Sequence, residues 1–225
     1  MPQPIRKRLR RFRNLPDAIR NIFHPAKIVR TTLYHSGLYR ISKTKFRGLH
    51  IGSGGHRIDG FLNFDADPFV DCDVVADATK VKLGSNMVST IYASHLVEHI
   101  PRAKVAQVVT EWLRVLEPGG KLYLSIPNLE TLTRVYLDSI GDYETEDGRD
   151  DAEVARNIIY GGQSDKFDFH YSGYSFVTIK ALLLSFGFSS VDTFTDSDID
   201  FAAFHEGHSA RLRGLSISLN VVAVK

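Results

Sequence analysis

The chain has 225 residues, of which 43% are hydrophobic, and this is enough for one domain with a sizeable core. Its single cysteine, Cys72, excludes an intrachain disulfide and a multi-cysteine metal site. The formal net charge of +2 is unevenly spread: residues 1–47 carry 13 Lys/Arg and one acid, whereas residues 48–225 carry 15 Lys/Arg and 25 acids. The first 47 residues are therefore electrostatically distinct from the rest.

We assign residues 1–45 to a basic helical N-terminal extension. Ile5, Leu9 and Phe12 recur at helical spacing among arginines and lysines, a pattern typical of an amphipathic helix on an anionic surface. Three interpretations of residues 1–15 stay open. They hold the protein peripherally on the inner membrane face, they contact nucleic-acid phosphates, or they form a solvated disordered arm. The helical pattern continues over residues 17–42.

From residue 46 onward, short apolar runs alternate with helical patterns, so residues 46–225 are predicted to form an α/β domain. Helices are predicted over 103–116, where Pro118-Gly119-Gly120 breaks the pattern, and over 176–186. The polar, acidic stretch 138–173 is predicted to be an insertion or lid that carries substrate contacts. Strands are predicted at 46–51, 61–64, 73–76, 88–93, 121–126, 189–194 and 215–224. This alternation indicates a mostly parallel sheet with a ligand site at the carboxyl ends of its strands.

A glycine-rich turn follows the first predicted strand, and a carboxylate ends the second. The turn contains Gly52, Ser53, Gly54 and Gly55, and the carboxylate is Asp65. Glycines let a ligand approach the backbone, and a carboxylate at the next strand end can accept hydrogen bonds from a ribose diol. Either feature alone is also compatible with an ordinary turn. Together they indicate a nucleoside-bearing cofactor.

Two further strand ends carry polar residues, Asp77-Ala78 after the third strand and Ser94-His95 after the fourth. Asp77 by itself is more typical of a helix N-cap. The ordered set resembles the Rossmann-like, or class I, S-adenosylmethionine-dependent methyltransferases over roughly residues 46–130 and the final helix and strands. The resemblance implies a doubly wound, mostly parallel seven-stranded sheet, with its last strand antiparallel and helices on both faces. It also implies S-adenosylmethionine as the cofactor.

The resemblance also implies roles for the residues at these strand ends. The glycine turn would pass beneath the methionine moiety, and Asp65 would hold the ribose hydroxyls. Asp77 would meet the adenine amino group, with backbone contacts from Ala78. Ser94 and His95 would border the reacting methyl group.

The sequence departs from the family pattern in its first crossover. His50 stands where the family commonly has an acid, which puts the usual contact to the methionine amino group in doubt. Only 13 residues separate Gly52 from Asp65, so we expect a shortened first helix. This resembles a compact branch of the family often associated with bacterial surface-glycan synthesis.

A second motif spans the junction after the fourth strand. Residues 95–99 match His-x-x-Glu-His, in which two histidines four apart on a helix bind one zinc ion. The alternative is that Glu98 supports the start of the next helix and His99 packs nearby. We favour this alternative and expect no metal ligands.

Methyl transfer from a sulfonium is an in-line displacement in which the protein mainly positions donor and acceptor. A hydroxyl acceptor also benefits from a base, and the candidates are His95 and His170, with Asp168 orienting His170. We therefore predict O-methylation of a saccharide or another small hydroxyl acceptor, with a lipid-linked glycan as one form. One alternative is an RNA methyltransferase. The other is a non-catalytic protein that retains the fold, which stays open because His50 replaces the acid that the family commonly has. We expect a cytoplasmic protein, because no apolar run approaches about 18 residues and no secretory signal is evident.

Overall fold

The computed structural model describes residues 19, 22, 24–37, 46–139, 150–201 and 209–225. The predicted amphipathic helix over residues 1–15 lies outside the described residues. The strands are β1 (Gly48–Ile51), β2 (Phe61–Asp65), β3 (Val74–Val75), β4 (Val88–Ser94), β5 (Leu116–Pro127), β6 (Ser190–Thr193), β7 (Arg211–Leu212), β8 (Leu215–Ser216) and β9 (Ser218–Val224). The α-helices are α1 (Pro25–His35), α2 (Arg102–Val115), α3 (Leu129–Asp138), α4 (Asp151–Tyr160) and α5 (Phe176–Ser185).

Seven strands form one sheet in the order β3-β2-β1-β4-β5-β9-β6. The neighbours from β3 to β5 pair in parallel, whereas β9 runs antiparallel to both β5 and β6. The central β1 is fully buried, and Leu49 pairs with Leu62 on one side and Ile91 on the other. The predicted fold class is confirmed, because the seven strands form a mostly parallel sheet in which the last strand, β9, runs antiparallel to its neighbours.

The connection from β1 to β2 differs from the prediction. Residues 52–60 contain no helix, so the predicted shortened first helix is wrong. Gly52, Gly54 and Gly55 have φ of 72°, 56° and 90°, values outside the right-handed helical region. The side chain of Asn63 fixes the far end of this loop, where its Oδ1 accepts a hydrogen bond from Ile58 N at 2.9 Å.

The main core lies between the sheet and its covering helices. In α2 the predicted apolar face is buried, and Trp112 is completely enclosed while its Nε1 donates to Ala78 O at 3.3 Å. The helix ends at Val115, close to its predicted end. Pro118-Gly119-Gly120 was predicted to lie between this helix and the next strand. In the structure these residues lie inside β5, at the point where its register against β4 shifts.

Two helices that were not predicted flank or lie within the predicted insertion. Each begins with a side-chain cap: Asn128 Oδ1 accepts from Thr131 N in α3, and Asp150 accepts from Glu153 N in α4. A small separate cluster of apolar side chains joins these helices, with Leu132, Val135 and Ala155 buried in it. The insertion is therefore packed structure in its described part.

Helix α1 packs against β3 at one edge of the sheet. The hydroxyl of Tyr34 donates to Lys80 O at 2.9 Å and accepts from Lys82 N at 2.7 Å. Thr31 Oγ1 accepts from Val75 N at 3.1 Å, and His35 Nε2 lies 2.9 Å from Val75 O. Among the described residues, no helix is long and apolar enough to cross a membrane.

Candidate functional site

A cleft of about 600 Å³ opens at the carboxyl ends of the parallel strands. Six parts of the chain line it: the glycine turn, the end of β2, the end of β3, the turn after β4, the start of α2 and the segment 164–168. The lining residues that matter below are Gly52, Gly54, Asp65, Asp77, Ala78, Thr79, His95, Leu96, His99, Lys104, Asp165, Lys166, Phe167 and Asp168. Ser53, Gly55, Ser94 and His170 are not among the lining residues. The sheet therefore brings most of the predicted cofactor residues to one cleft.

The glycine turn is held to the end of β2 by backbone hydrogen bonds. The N–H groups of Gly52 and Ser53 both donate to Phe64 O, at 3.0 and 2.9 Å. At Gly52 a Cβ atom would lie 3.0 Å from the side chain of Leu96, and φ of +72° is unfavourable for other residues. Glycine is therefore required at this point by both space and backbone conformation.

Asp65 ends β2 facing this turn. Its Oδ2 accepts from Gly54 N at 2.7 Å and its Oδ1 accepts from Asp67 N at 2.8 Å. Burial raises the pKa of Asp65, while the backbone donors oppose that shift. A carboxylate can accept about four hydrogen bonds, so capacity remains for the two hydroxyls of a ribose diol. These contacts fit the predicted role of Asp65.

Asp77 and Ala78 form the next wall of the cleft. The Oδ1 atom of Asp77 accepts from Thr79 N at 2.8 Å, which closes a turn and does not cap a helix. The carbonyl of Ala78 is fixed by Trp112 Nε1. The N-cap alternative for Asp77 is thereby corrected, because no described helix begins at this residue.

Two buried hydroxyls lie behind the lining of the cleft. Ser53 Oγ and Ser94 Oγ have no hydrogen-bond partner among the described residues, although both side chains are buried. Buried polar groups are usually hydrogen-bonded, so unsatisfied hydroxyls at a strand-end cleft are consistent with a bound ligand. Both serines are among the residues that the sequence predicts for the cofactor.

His95 sits at the end of β4 with φ of 49°, in the left-handed region. Its backbone N–H donates to Ser125 O at 2.7 Å. On the imidazole, Nδ1 lies 3.2 Å from Glu98 Oε1 and Nε2 lies 3.3 Å from Ser218 Oγ. Glu98 is a site residue that the prediction missed, although the spacing within residues 95–99 had placed it near His95.

His170 and Asp168 occupy the segment after α4. The carboxylate of Asp168 accepts from the backbone N–H and the hydroxyl of Ser164, at 3.2 and 2.7 Å, and so closes the turn 164–168. The ring of His170 lies 4.4 Å from that of His99, measured between ring centroids. Burial lowers the pKa of His170, and the negative charge of Glu98 opposes that shift. Orientation of His170 by Asp168 stays a prediction.

His50 is buried inside the sheet, and its Nδ1 lies 3.2 Å from Asn63 Oδ1. Burial lowers the pKa of His50 to about 4, so the ring is neutral near physiological pH. It is not among the residues that line the cleft. The residue that replaces the family's usual acid is thus a structural partner of Asn63.

A family model described as a methyltransferase domain matches residues 60–124. A chain in the complex between the Haloferax volcanii Trm112 methyltransferase activator and its assigned methyltransferase is 15% identical. The match covers 95% of this chain and 96% of that one, with a TM-score of 0.50. The CurJ carbon methyltransferase is 14% identical over 88% of this chain and 53% of its own, also with a TM-score of 0.50. No curated protein matches the sequence.

Proposed function

We propose that this chain, a class I methyltransferase with S-adenosylmethionine as its cofactor, methylates a hydroxyl oxygen of a saccharide or another small acceptor. The observation that carries this proposal is that His95, backed by the buried Glu98, lies in the same cleft as the glycine turn and Asp65. A base beside the methyl donor suits an acceptor that must lose a proton.

The residues that line the cleft at the strand ends fit the cofactor. Gly52 keeps the backbone open to the ligand, Asp65 has acceptor capacity for the ribose hydroxyls, and Asp77 and Ala78 form the adenine side of the cleft. When bound, S-adenosylmethionine supplies a methyl group on a positively charged sulfur, which leaves as a neutral thioether.

His95 would accept the proton of the acceptor hydroxyl as the oxygen forms its bond to the methyl carbon. Glu98 Oε1, at 3.2 Å from Nδ1, is close enough to stabilise the positive charge that the ring gains. The left-handed backbone at His95 and its hydrogen bond to Ser125 O hold the imidazole at the end of β4. General base catalysis of this kind contributes about 10²- to 10⁴-fold to the rate.

The segment 164–168 supports a saccharide acceptor. Asp165 and Asp168 place carboxylates on the cleft, and Phe167 places a ring there that is 43% exposed. Carboxylates accept hydrogen bonds from sugar hydroxyls, and an aromatic face covers the apolar side of a sugar ring. The resemblance to the glycan-associated branch points to the same class of acceptor.

The test is an incubation of the purified protein with S-adenosylmethionine and a panel of acceptors. The panel holds free sugars, nucleotide sugars, lipid-linked saccharides and transfer RNA, and product is detected by mass spectrometry as the gain of one methyl group. Methylation of a sugar hydroxyl supports the proposal. Methylation of RNA alone, or of a carbon or nitrogen atom alone, contradicts it.

We further propose that residues 1–15 attach the enzyme peripherally to an anionic membrane surface. Six Lys/Arg residues lie between positions 6 and 13, and each contributes on the order of 1 kcal/mol near such a surface. The check is flotation with anionic and with neutral liposomes, comparing the full chain with residues 16–225. Equal flotation of the two proteins would rule the attachment out.

A further inference from the structure

We propose that Glu98, His99 and His170 form a binding site for a transition-metal ion of the Zn²⁺ type at the side of the cleft. One ligand atom from each residue lies within 4.8 Å of the other two. Two imidazoles and one carboxylate are a set that Zn²⁺ and related divalent ions bind in proteins. The site shares Glu98 with the base proposed above, but His95 is not one of its three ligands.

The carboxylate of Glu98 provides an independent indication of a cation. The residue is completely buried, and neither of its side-chain oxygens accepts a hydrogen bond from the described residues. Its ion-pair contact among the described residues is with His95, whose Nδ1 lies 3.2 Å from Oε1. A buried carboxylate with so few partners is costly, and a divalent ion on its second oxygen would compensate the charge.

His99 makes the second hydrogen bond that metal-ligating imidazoles usually make. His99 Nδ1 lies 3.1 Å from Phe169 O, and a proton on that nitrogen leaves Nε2 with a free lone pair. A backbone carbonyl of this kind fixes the tautomer and the orientation of a ligating ring. The ring of His170 packs edge to face against that of His99, with the ring centroids 4.4 Å apart.

The two parts of the site are tied together by the backbone. The 3₁₀ turn Val97–His99 carries two ligands, and Tyr171 N donates to Glu98 O at 2.7 Å. With the bond from His99 to Phe169, this contact brackets His170 on both sides. The cluster is therefore held in place before any ion arrives, which reduces the ordering that binding would require.

The ligand set differs from the one that the sequence motif suggests. In His-x-x-Glu-His both histidines bind from one helix, but His95 has φ of 49° and only residues 97–99 form a helical turn. The third ligand comes instead from residue 170, on a distant segment. Three protein ligands leave a coordination position for water, and His99 lines the cleft, so this position would be reachable from it.

The test is calorimetric titration of the tag-free, chelator-treated full chain with ZnCl₂, without cofactor or acceptor. We expect one ion per chain, and we expect Glu98→Gln and His170→Gln each to raise Kd by about 100-fold or more. Titration with Co²⁺ gives a second readout, because coordinated Co²⁺ has visible absorption bands that these variants should lose. His24→Gln, which changes an exposed histidine outside the cluster, should bind like the unmodified chain.

Absence of binding to the unmodified chain, or unchanged binding by both variants, would overturn the site. Circular dichroism checks that each variant is folded. His99→Gln removes the third ligand, at a half-buried position, and should also weaken zinc binding. The titration contains no methyl donor, so its result does not depend on the proposed methyl transfer. Zinc binding by a chain that transfers no methyl group would support the metal site and contradict the proposed methyl transfer. Methyl transfer by a chain that binds no zinc would contradict the metal site and leave the proposed methyl transfer standing.

Discussion

The Nδ1 atom of His95 lies 3.2 Å from Oε1 of Glu98, and the carboxylate is buried while the imidazole is partly open to the cleft. A buried carboxylate beside a histidine favours the protonated, positively charged ring, although no hydrogen bond joins these two side chains. The other ring nitrogen, Nε2, lies 3.3 Å from Oγ of the buried Ser218. The role of His95 as a general base stays a proposal, which its replacement tests.

Replacing His95 by Asn should lower kcat by about 10²- to 10⁴-fold, because the proton of the acceptor then has no base. Asn tolerates the left-handed backbone at this position, so the fold should be preserved. The measurement is the single-turnover rate of methyl transfer, with calorimetry of cofactor binding as the control for the cleft. An unchanged rate would remove His95 from the proposed mechanism.

Replacing Asp65 by Ala should weaken cofactor binding by about 10- to 100-fold, the loss expected for hydrogen bonds to a charged group. Asp59→Ala is the matched control, because Asp59 is exposed in the same loop region and does not line the cleft. Burial raises the pKa of Asp65, so affinity should begin to fall at a higher pH than for an ordinary aspartate. Calorimetry at neutral and mildly acidic pH measures both effects, and equal affinity of Asp65→Ala and Asp59→Ala would refute the role.

Replacing Asp73 by Asn should lower the free energy of unfolding by about 2–4 kcal/mol. The Asp73 side chain is 2% exposed, and its Oδ1 lies 2.6 Å from Arg30 and 2.8 Å from Arg57. These contacts join α1 to the loop before β2. Asp71→Asn is the control, because Asp71 is 60% exposed and 3.5 Å from the same Arg57, and it should change stability by less than about 0.5 kcal/mol.

The pKa of Asp73 is lowered in the folded state, where hydrogen bonds to Arg57 and Asn63 outweigh the opposing effect of burial. Its stabilisation is therefore fully present above the unfolded pKa of an aspartate and is lost as pH falls below it. Urea denaturation at neutral pH compares the variants. Equal losses for Asp73→Asn and Asp71→Asn would contradict the assignment.

His50 should make the protein less stable in mild acid. Burial lowers its pKa to about 4, so the unfolded chain binds a proton below pH of about 6.5 while the folded chain does not. The stabilisation is thus present above that pH and is lost as pH falls toward 4, by about 2 kcal/mol at pH 5. His50→Leu should remove this part of the pH dependence in urea denaturation, whereas the exposed His24→Leu should keep it. Parallel pH profiles for all three proteins would show the assignment to be wrong.

Gly161 should not tolerate a side chain. Its φ is +79°, and a Cβ atom would overlap Asp168 O and lie 3.0 Å from His170 N. Gly161→Ala should therefore displace the segment that contains Asp168 and His170 and weaken the proposed Zn²⁺ site. Gly119→Ala is the control for backbone strain alone, because φ is +76° there and a Cβ would meet nothing within 4 Å. We expect about 1 kcal/mol of destabilisation for Gly119→Ala and clearly more for Gly161→Ala in urea denaturation. Equal losses would mean that the contacts with Asp168 and His170 do not matter.

The sheet and the cofactor side of the cleft were predictable because their signals are local. Short apolar runs mark the strands, and in a parallel sheet the residues after each strand meet at one edge. Gly52, Asp65 and Asp77 could thus be placed together without knowing any long-range contact. The first crossover was mispredicted because the family pattern suggested a helix where three glycines with positive φ prevent one.

The histidine cluster could not be predicted in the same way. His99 and His170 are 71 positions apart, and their convergence depends on backbone contacts such as Tyr171 N to Glu98 O. No periodicity in the sequence encodes such a contact. The apolar residues of α4 lie in an acidic stretch of sequence and therefore did not indicate a helix. Their packing against α3 in the structure shows that they form one face of a helix.

Helix α1 has a consequence for how the protein behaves at high concentration. β3 is an edge strand, and the backbone N–H and C=O of Val75 that would otherwise be open to another strand are bound by Thr31 and His35. An uncovered edge is a template for strand addition between molecules. A chain that starts after residue 36 would expose this edge and should self-associate, so shortened versions made for crystallisation should retain residues 25–35 for solubility.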